Sequence, residues 1–559
     1  MEEERILNLP VEDYPPDGVL QEKWSKRLQR RRRVSRNGKG VDFASPSPEL
    51  FPDQARACEC ISRAPTRRGA VLSIKVGGGK TLISLLAGTI LGAKKVLILL
   101  PARLRDQNLR DQKEWSPKFR VHPEITLLSY EMLSRPESAD LLEELDADLV
   151  ILDEAHNVAS FKSARTKRVF RFFKDRPDCR AIVMSGTLTS KSLNDFSHLV
   201  ELALRDGSPI PTSYYVRERW AAVIDSRSEF SSNDWAQIRW MVDKKHWNST
   251  ESERQKHARL AFQKRFQSTP GIIVSRDRSI GCSLVYTPWD PSPSPKITDA
   301  LAEVRRTWTL PDGTELVTAI EWTRALKQIS LGFFYRWVWP DGEPDWEWLE
   351  ARRAWHATAR NVISLGKRGM DSPARVNRQA EQGNLSRAVL EVWDRWEAQK
   401  HKDPPPTESV WICESVIRQI VSHTKDRRAI IWYQSIAVGE KLEEMGIPLG
   451  IPDRSTLCAL SISKFGEGVD GLQYLFSDQL IVESPSSGRR WEQTVGRTHR
   501  HGQEAHTVEV EWALLPPFSH AFQRAITDAE YIFSTTGSRQ KLLYGTHANP
   551  WDPDLTGGT

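Results

Sequence analysis

The stretch LSIKVGGGKTLISLL, residues 72–86, places three glycines, a lysine and a threonine between two apolar runs. The run AVLSIKV before the glycines has the continuous apolar character of a buried strand, and TLISLLAGTIL after them has the composition of a helix. Gly77, Gly78 and Gly79 would let the backbone approach a bound group closely. The stretch therefore predicts a strand, a glycine-rich loop and a helix in direct succession.

Apolar runs of the same kind recur on both sides of this stretch. They alternate with helix-length segments from residue 70 to 190, and the pattern returns between residues 427 and 515. Continuous apolar strands between helices indicate a parallel sheet covered on both faces. The predicted fold class is therefore α/β, with two doubly wound parallel-sheet lobes and a mostly helical insertion between them.

Changes in composition suggest where these units begin and end. The expected units are a basic, flexible leader over 1–44, a first lobe over 45–205, a helical insertion and lobe linker over 206–404, a second lobe over 405–535 and a tail over 536–559. The arginine run of the leader is typical either of an arm that binds a polyanion or of a solvated segment. The insertion carries 14 of the 21 tryptophans, which could stack on bases but more often fill a helical core.

The bulk composition narrows the class of protein. The chain has 39% apolar and 27% charged residues and a net charge of +6, which is typical of a globular protein with a mild basic excess. No apolar run approaches the roughly 20 residues needed to span a bilayer, and the first residues lack the apolar stretch of a secretory signal. The six cysteines have neither metal nor redox spacing. We therefore expect a cytoplasmic location, that of the host if the source is a phage, or a nuclear one if the source is eukaryotic. We also expect no membrane association and no zinc site.

The glycine-rich stretch can hold a polyphosphate. In such a loop successive backbone N–H groups point inward and the following helix offers its positive end. Lys80 would reach the β and γ phosphates, and the Thr81 hydroxyl would bind Mg²⁺. The full pattern has glycine at position 74, where this chain has Ile74. An ordinary strand-to-helix turn is the alternative interpretation.

A pair of carboxylates follows another buried strand. ADLVILDEAHNV places Asp153 and Glu154 at the end of an apolar run, where open α/β sheets form their sites. Asp153 would bind Mg²⁺ and Glu154 would orient and deprotonate an attacking water. The alternative is a helix cap at Asp153 with His156 on the surface. A third strand leads into Ser185 and Thr187, which could sense the γ-phosphate by hydrogen bonding.

The stretch RRWEQTVGRTHRHGQ lies more than 400 residues after the glycine loop. Arg497 and Arg500 are three residues apart, so on a helix they would share a face. Guanidinium groups stabilise the charge that develops on the γ-phosphate oxygens during phosphoryl transfer. Taken alone, the arginines could be a solvated basic face. Together with the loop and the carboxylates, they favour a catalytic pair supplied by a second lobe.

These stretches together resemble the motifs of superfamily-two helicase motors, and more narrowly those of SWI/SNF-type ATPases in a compact, phage- or bacterial-like form. The resemblance extends over roughly residues 45 to 515, and GRTHRHGQ is its most family-specific string. VGGGKT matches the phosphate loop of this superfamily, which does not require the first glycine. Ile74 is therefore compatible with a phosphate loop.

In the first lobe the resemblance assigns further residues. ELFPDQARACE places Gln54 at the adenine-reading position, and DEAH and SGTLTSKSLNDF match the second and third motifs. The resemblance implies that His156, Ser185 and Thr187 couple the nucleotide to the rest of the motor. VLILLPARL and LLSYEML match motifs that contact the nucleic-acid backbone and include Arg103 and Ser129.

In the second lobe LSISKFGEGVDGLQ resembles the fifth motif and places Asp470 at the ribose-contact position. The family usually opens this motif with Ser-Thr, whereas this chain has Ser461 followed by Ile462. A backbone-contacting hydroxyl is therefore absent or supplied by Ser463. QTVGRTHRHGQ resembles the sixth motif, with Gln493 as a coupling residue.

The resemblance implies an enzyme that hydrolyses ATP with Mg²⁺ and moves along double-stranded DNA. A helicase that separates RNA strands or forked DNA is one alternative, because such enzymes share the DEAH spelling. The motor subunit of a restriction or defence assembly, with its nuclease on a separate chain, is another. A nucleotide switch without enzymatic activity is disfavoured, since a pure switch can dispense with Glu154.

Overall fold

The computed structural model describes residues 2–30, 49–64, 68–160, 163–189, 191–225, 229–276, 280–316, 318–339, 342–365, 370 and 373–548. The chain divides into two compact units. The first comprises Met1–Arg278 with Asp528–Arg539, and the second comprises Ser279–Thr527 with Gln540–Thr559.

The first unit is built on a six-stranded parallel sheet. Its strands are β1 Gly69–Ser73, β2 Val96–Leu100, β3 Ile125–Ser129, β4 Leu149–Leu152, β5 Arg180–Met184 and β6 Ile272–Val274. They are arranged in the order β3-β2-β4-β5-β1-β6, and all neighbouring pairs are parallel. Alternate residues enter two apolar cores, as Val71 and Leu72 of β1 do. The continuous apolar runs of the sequence follow from burial on both faces.

Helices flank this sheet. They are α1 Glu2–Leu7, α2 Asp17–Leu28, α3 Pro52–Ser62, α4 Lys80–Leu91, α5 Arg105–Trp115, α6 Leu141–Leu145, α7 Ala164–Asp175, α8 Ser197–Leu204, α9 Tyr214–Ile224, α10 Ser232–Ile238 and α11 Glu251–Ser268. None of the helices in the described part of the chain has the length and hydropathy that crossing a membrane requires.

The first thirty residues do not form the flexible leader expected from their charge. Leu20, Trp24 and Leu28 of α2 are buried, and the Trp24 indole donates to Glu59 on α3 over 2.8 Å. Their spacing of four residues makes an apolar stripe on one face of the helix, which the surrounding charges obscure in the sequence. Residues 31–44 of the expected leader lie outside the described residues.

The expected insertion over 206–404 is not one unit. Its first part, through β6, belongs to the first unit, where Trp220 is buried against Phe262 of α11. The reason is that β6 pairs with β1 and extends the first sheet. The division between the units lies instead near residue 278.

The second unit contains another six-stranded parallel sheet. The eight strands in the described residues of the second unit are β7 Ser283–Trp289, β8 Phe333–Trp337, β9 Thr407–Trp411, β10 Ala429–Tyr433, β11 Cys458–Ser461, β12 Asp478–Ile481, β13 Thr507–Ala513 and β14 Thr546–His547. The large sheet has the order β11-β10-β12-β13-β7-β14, and β8 and β9 form a separate antiparallel pair. The predicted fold class is therefore confirmed: two RecA-like α/β lobes, each with a parallel sheet.

The remaining helices are α12 Pro295–Thr307, α13 Ala319–Ser330, α14 Trp346–Ser364, α15 Pro373–Glu381, α16 Arg387–Glu397, α17 Ser415–Thr424, α18 Ile436–Glu444, α19 Ile462–Phe465, α20 Gly488–Val495, α21 Pro516–Thr536 and α22 Lys541–Tyr544. Helices α14, α15 and α16 share an apolar core of their own, in which the rings of Trp355 and Trp393 lie 4.7 Å apart. Both side chains are buried, so these tryptophans fill a helical core.

Candidate functional site

The glycine loop joins β1 to α4 and has the geometry of a cradle. Gly77 and Gly79 have φ angles of 82° and 74°, in the left-handed region that favours glycine. A Cβ on Gly78 would lie 2.6 Å from the Ile74 side chain, and one on Gly79 would collide with the Gln54 carboxamide. Side chains are therefore excluded at positions 78 and 79, and the loop backbone is partly exposed.

The side chains of Ile74 and Gln54 pack against this loop. Ile74 is fully buried, which explains an apolar residue where the longer pattern has glycine. Gln54 lies on α3 with its carboxamide between two backbone groups: it accepts from the Phe51 N–H over 2.7 Å and donates to the Gly79 carbonyl over 3.2 Å. Gln54 thus holds the loop in place. Its contact with adenine stays a prediction.

Lys80 and Thr81 begin α4 and follow the loop directly. The Lys80 ammonium lies 2.9 Å from a Glu154 carboxylate oxygen and donates to the Ile74 carbonyl over 3.3 Å. Both side chains of the ion pair are nearly buried, with exposed fractions of 10% and 13%. The structure therefore brings together the lysine and the glutamate that the sequence pattern selected for catalysis.

The acidic pair lies just beyond β4. Asp153 is 3% exposed, and its carboxylate accepts from the Glu154 N–H over 3.0 Å. Glu154 has a φ of 49°, which is uncommon for a residue with a side chain and turns its carboxylate toward Lys80. Tyr130, which the sequence pattern did not identify, donates its hydroxyl to the Asp153 carbonyl over 2.9 Å.

The pKa values of the two carboxyl groups are shifted in opposite directions. Burial and the adjacent Glu154 charge raise the pKa of Asp153 to about 7, although Lys80 opposes the shift. Burial also disfavours the Glu154 anion, but Lys80 and His156 outweigh it and hold the pKa of Glu154 well below its usual value. Glu154 is therefore ionised, whereas Asp153 is about half protonated near neutral pH, and a cation bound beside it would favour its anion.

Three of the four expected coupling residues form a network with Glu154, whereas the fourth, Gln493, is buried on α20 of the second unit. His156 Nδ1 lies 3.4 Å from a Glu154 oxygen and 3.3 Å from the Ser185 hydroxyl. The Thr187 N–H donates to the same hydroxyl over 3.1 Å. Asn157, another residue that the pattern missed, donates to the Glu154 carbonyl over 3.0 Å. The ends of β4 and β5 are thus joined through one hydrogen-bond network.

The arginine pair of the second lobe does not lie on a helix, so the expectation of a shared helical face is wrong. Helix α20 ends at Val495, Gly496 caps it, and both arginines follow in a turn. Arg497 is 7% exposed and donates to the main-chain carbonyls of Gln493 and Val469. The turn brings each arginine onto the loop of the fifth motif.

Arg500 meets a side chain of that loop. Its guanidinium lies 3.1 Å from the Asp470 carboxylate. The same carboxylate accepts from the Gly471 N–H over 2.8 Å and from the Gln473 carboxamide over 3.2 Å. Asp470 and Arg500 are therefore paired within the second lobe.

The four residues expected to contact nucleic acid lie at or just beyond strand ends. Arg103 follows β2, Ser129 ends β3, Ser461 ends β11, and Ser463 is on α19. The hydroxyls of Ser461 and Ser463 are 2.8 Å apart, while Ile462 between them is buried. The Ser129 hydroxyl accepts from the Met132 N–H over 3.2 Å. Their nucleic-acid contacts stay predictions.

Residues 51–196 match the model of the DEAD/DEAH box helicase family. This part of the chain is a DEAD/DEAH box helicase domain. The matched range includes the glycine loop, the acidic pair and the serine and threonine that follow β5. Domains of this family are generally nucleic-acid-stimulated ATPases, and the match implies ATP use and nucleic-acid binding for residues 51–196. No curated protein matches the chain.

Proposed function

We propose that the protein is an ATP-dependent DNA translocase of the SWI/SNF type, which hydrolyses ATP to ADP and phosphate and moves along double-stranded DNA. The observation that supports it most directly is the Lys80–Glu154 ion pair at the mouth of the glycine loop. The narrower assignment rests on GRTHRHGQ in the second lobe, which lies outside the matched domain.

The residues of the first lobe fit ATP with Mg²⁺. The loop excludes side chains at Gly78 and Gly79, and buried Asp153 lies beside Glu154, so a bound cation would favour its anion further than Lys80 already does. Across those residues no three His, Cys, Asp or Glu side chains form a metal-binding cluster. That agrees with Mg²⁺, which is usually held by one or two protein ligands, phosphates and water. Thr81 and Asp153 would hold the metal, which neutralises phosphate charge when bound.

The chain's own residues suggest the order of events. Lys80 must exchange Glu154 for phosphate when the nucleotide binds, because one ammonium cannot serve both groups fully. Glu154 is then free to accept a proton from the attacking water, and loss of the Lys80 contact would raise its pKa from the lowered value toward the range of a better proton acceptor. His156 and Ser185 link its carboxylate to Thr187, so a change at Glu154 reaches the end of β5.

The second lobe would supply Arg500, and Arg497 beside it, to the phosphates when the two lobes close. Closure would then complete the catalytic site, and hydrolysis would reopen it. Contacts to the DNA backbone carry little sequence information, so we expect weak sequence preference and strong salt dependence.

The DEAD/DEAH match itself favours a second candidate, a helicase that separates RNA strands or forked DNA. A motor subunit of a restriction or defence assembly, with a separate nuclease, would use the same translocase chemistry. Neither alternative changes the roles proposed for Lys80 and Glu154.

ATP turnover measured without nucleic acid and with duplex DNA, single-stranded DNA or RNA, each across a salt series, tests the proposal. We expect duplex DNA to stimulate most and the stimulation to fall steeply with salt. Displacement of a third strand from a triplex, without separation of the duplex, would support translocation. Strand separation, or greatest stimulation by RNA, would favour the second candidate.

A further inference from the structure

The two arginines of the second lobe are held in different ways by one loop. Arg497 is buried and donates to main-chain carbonyls. Arg500 meets a side-chain carboxylate instead, and 19% of its side chain is exposed. A main-chain clamp on a buried guanidinium resists movement, whereas a partly exposed ion pair exchanges partners readily.

The loop itself is built to present Asp470. Gly468 and Gly471 on either side have φ angles of 77° and 96°, which permit a tight turn that other residues would strain. The Gly471 N–H and the Gln473 carboxamide both donate to the carboxylate oxygen that faces Arg500. Gln473 is buried, so this arrangement is fixed from within the lobe.

We propose that Asp470 is a positioning residue that holds the Arg500 guanidinium in reserve and competes with the γ-phosphate for it. The inference rests on the proposed function, since it requires Arg500 to act on ATP. It distinguishes the two arginines: main-chain carbonyls hold Arg497 in place on the loop, whereas Arg500 must leave Asp470 to reach the phosphates. The ribose contact that the resemblance implies for Asp470 is the competing role.

Steady-state ATP hydrolysis by the full chain tests this, without nucleic acid and with saturating duplex DNA. Asp470→Asn keeps the shape of the side chain and removes its charge. An exposed ion pair of this kind is worth little, so we expect kcat/KM without nucleic acid to rise about two- to fivefold. The ratio of stimulated to unstimulated rate should fall correspondingly. Asp453→Asn, an exposed carboxylate on the same lobe, should change neither rate.

A double-substitution cycle separates the proposed restraint of Arg500 by Asp470 from other roles of Asp470. In an Arg500→Ala background, Asp470→Asn should have no effect, because the competitor has nothing left to restrain. Asp470→Glu retains the charge, so the increase in the unstimulated rate should be smaller than in Asp470→Asn. It also provides a folded comparison if the asparagine variant is unstable.

Three results would overturn the inference: a lower unstimulated rate in Asp470→Asn, an equal effect with and without Arg500, or activation by Asp470→Glu as large as that by Asp470→Asn. If Asp470 instead contacts the ribose, Asp470→Asn should weaken the binding of ATP but not the binding of 3′-deoxy-ATP, and this should hold whatever residue occupies position 500. An absence of ATP hydrolysis by wild type with every nucleic acid would contradict the proposed function itself. If wild type hydrolyses ATP, Arg500→Ala reduces the rate and Asp470→Asn does not raise it, only the proposed role of Asp470 in holding Arg500 is contradicted.

Discussion

Glu154→Gln should separate ATP binding from ATP hydrolysis. The amide has nearly the same shape as the carboxylate, so the network with His156 and Ser185 can be kept while the charge is lost. The substitution removes the acceptor for the water proton and also frees Lys80 from an ion pair of 2.9 Å. Hydrolysis and binding are therefore expected to change in opposite directions.

The two effects have different sizes. Loss of a positioned general base costs a factor of about 10² to 10⁴ in rate, or roughly 3–5 kcal/mol in the activation barrier. The Glu154 carboxylate competes with phosphate for Lys80, and the two side chains of this ion pair are 13% and 10% exposed. Removing that competitor should favour phosphate binding by about 1 kcal/mol. We therefore expect ATP to bind about three- to tenfold more tightly while kcat falls at least a hundredfold.

Single-turnover hydrolysis of labelled ATP and titration with a fluorescent ATP analogue measure the two quantities separately. Glu144→Gln, an exposed glutamate on α6, is the matched control and should behave like wild type. A Glu154→Gln variant that hydrolyses ATP within threefold of the wild-type rate would refute the assignment of Glu154 as the base.

Three further outcomes are expected. Lys80→Ala should abolish ATP turnover and weaken the binding of ATP much more than the binding of adenosine. Competition binding measures both affinities, and equal losses for the two would contradict a phosphate role for Lys80. Trp24→Ala should lower the free energy of unfolding by about 3–5 kcal/mol, because the side chain is fully buried in the first lobe; urea denaturation measures this, and a change below 1 kcal/mol would show that the N-terminal helices are dispensable. Burial and the Lys541 charge lower the pKa of His499 to about 4, so the unfolded chain binds the proton more readily between pH 6.5 and 4 and stability should fall across that window as the pH falls, by up to about 3 kcal/mol. In His499→Gln that pH dependence of the urea midpoint should be reduced, and an unchanged slope would assign it to other groups.

Much of the catalytic arrangement was predictable because it depends on local rules. A parallel strand buried on both faces needs a continuous apolar run, and its carboxyl end is where a loop can hold a ligand. Lys80, Glu154 and His156 each follow the carboxyl end of a predicted parallel strand, which places them at one edge of the sheet, and the structure joins them in one network. Asn157 and Tyr130 could not be predicted, because an asparagine after DEAH and a tyrosine after β3 have no sequence pattern that indicates a contact with the acidic pair.

The boundaries of the units were not predictable in the same way. Charge in the first thirty residues hid the apolar stripe of α2, and nothing local marks β6 as the strand that pairs with β1. Residues 528–539 rejoin the first unit after almost 250 residues spent in the second. Such assignments depend on contacts between distant parts of the chain.

The amino-acid sequence by itself determined the two α/β lobes, the glycine loop and the identity of the acidic and basic groups, because strand burial and backbone freedom are properties of neighbouring residues. The tertiary structure alone decided which groups are paired: Lys80 with Glu154, Arg497 with main-chain carbonyls, and Arg500 with Asp470. Charge pairing depends on distance in space, and residues 470 and 500 come together only because the loop after β11 and the turn after α20 meet within the folded lobe.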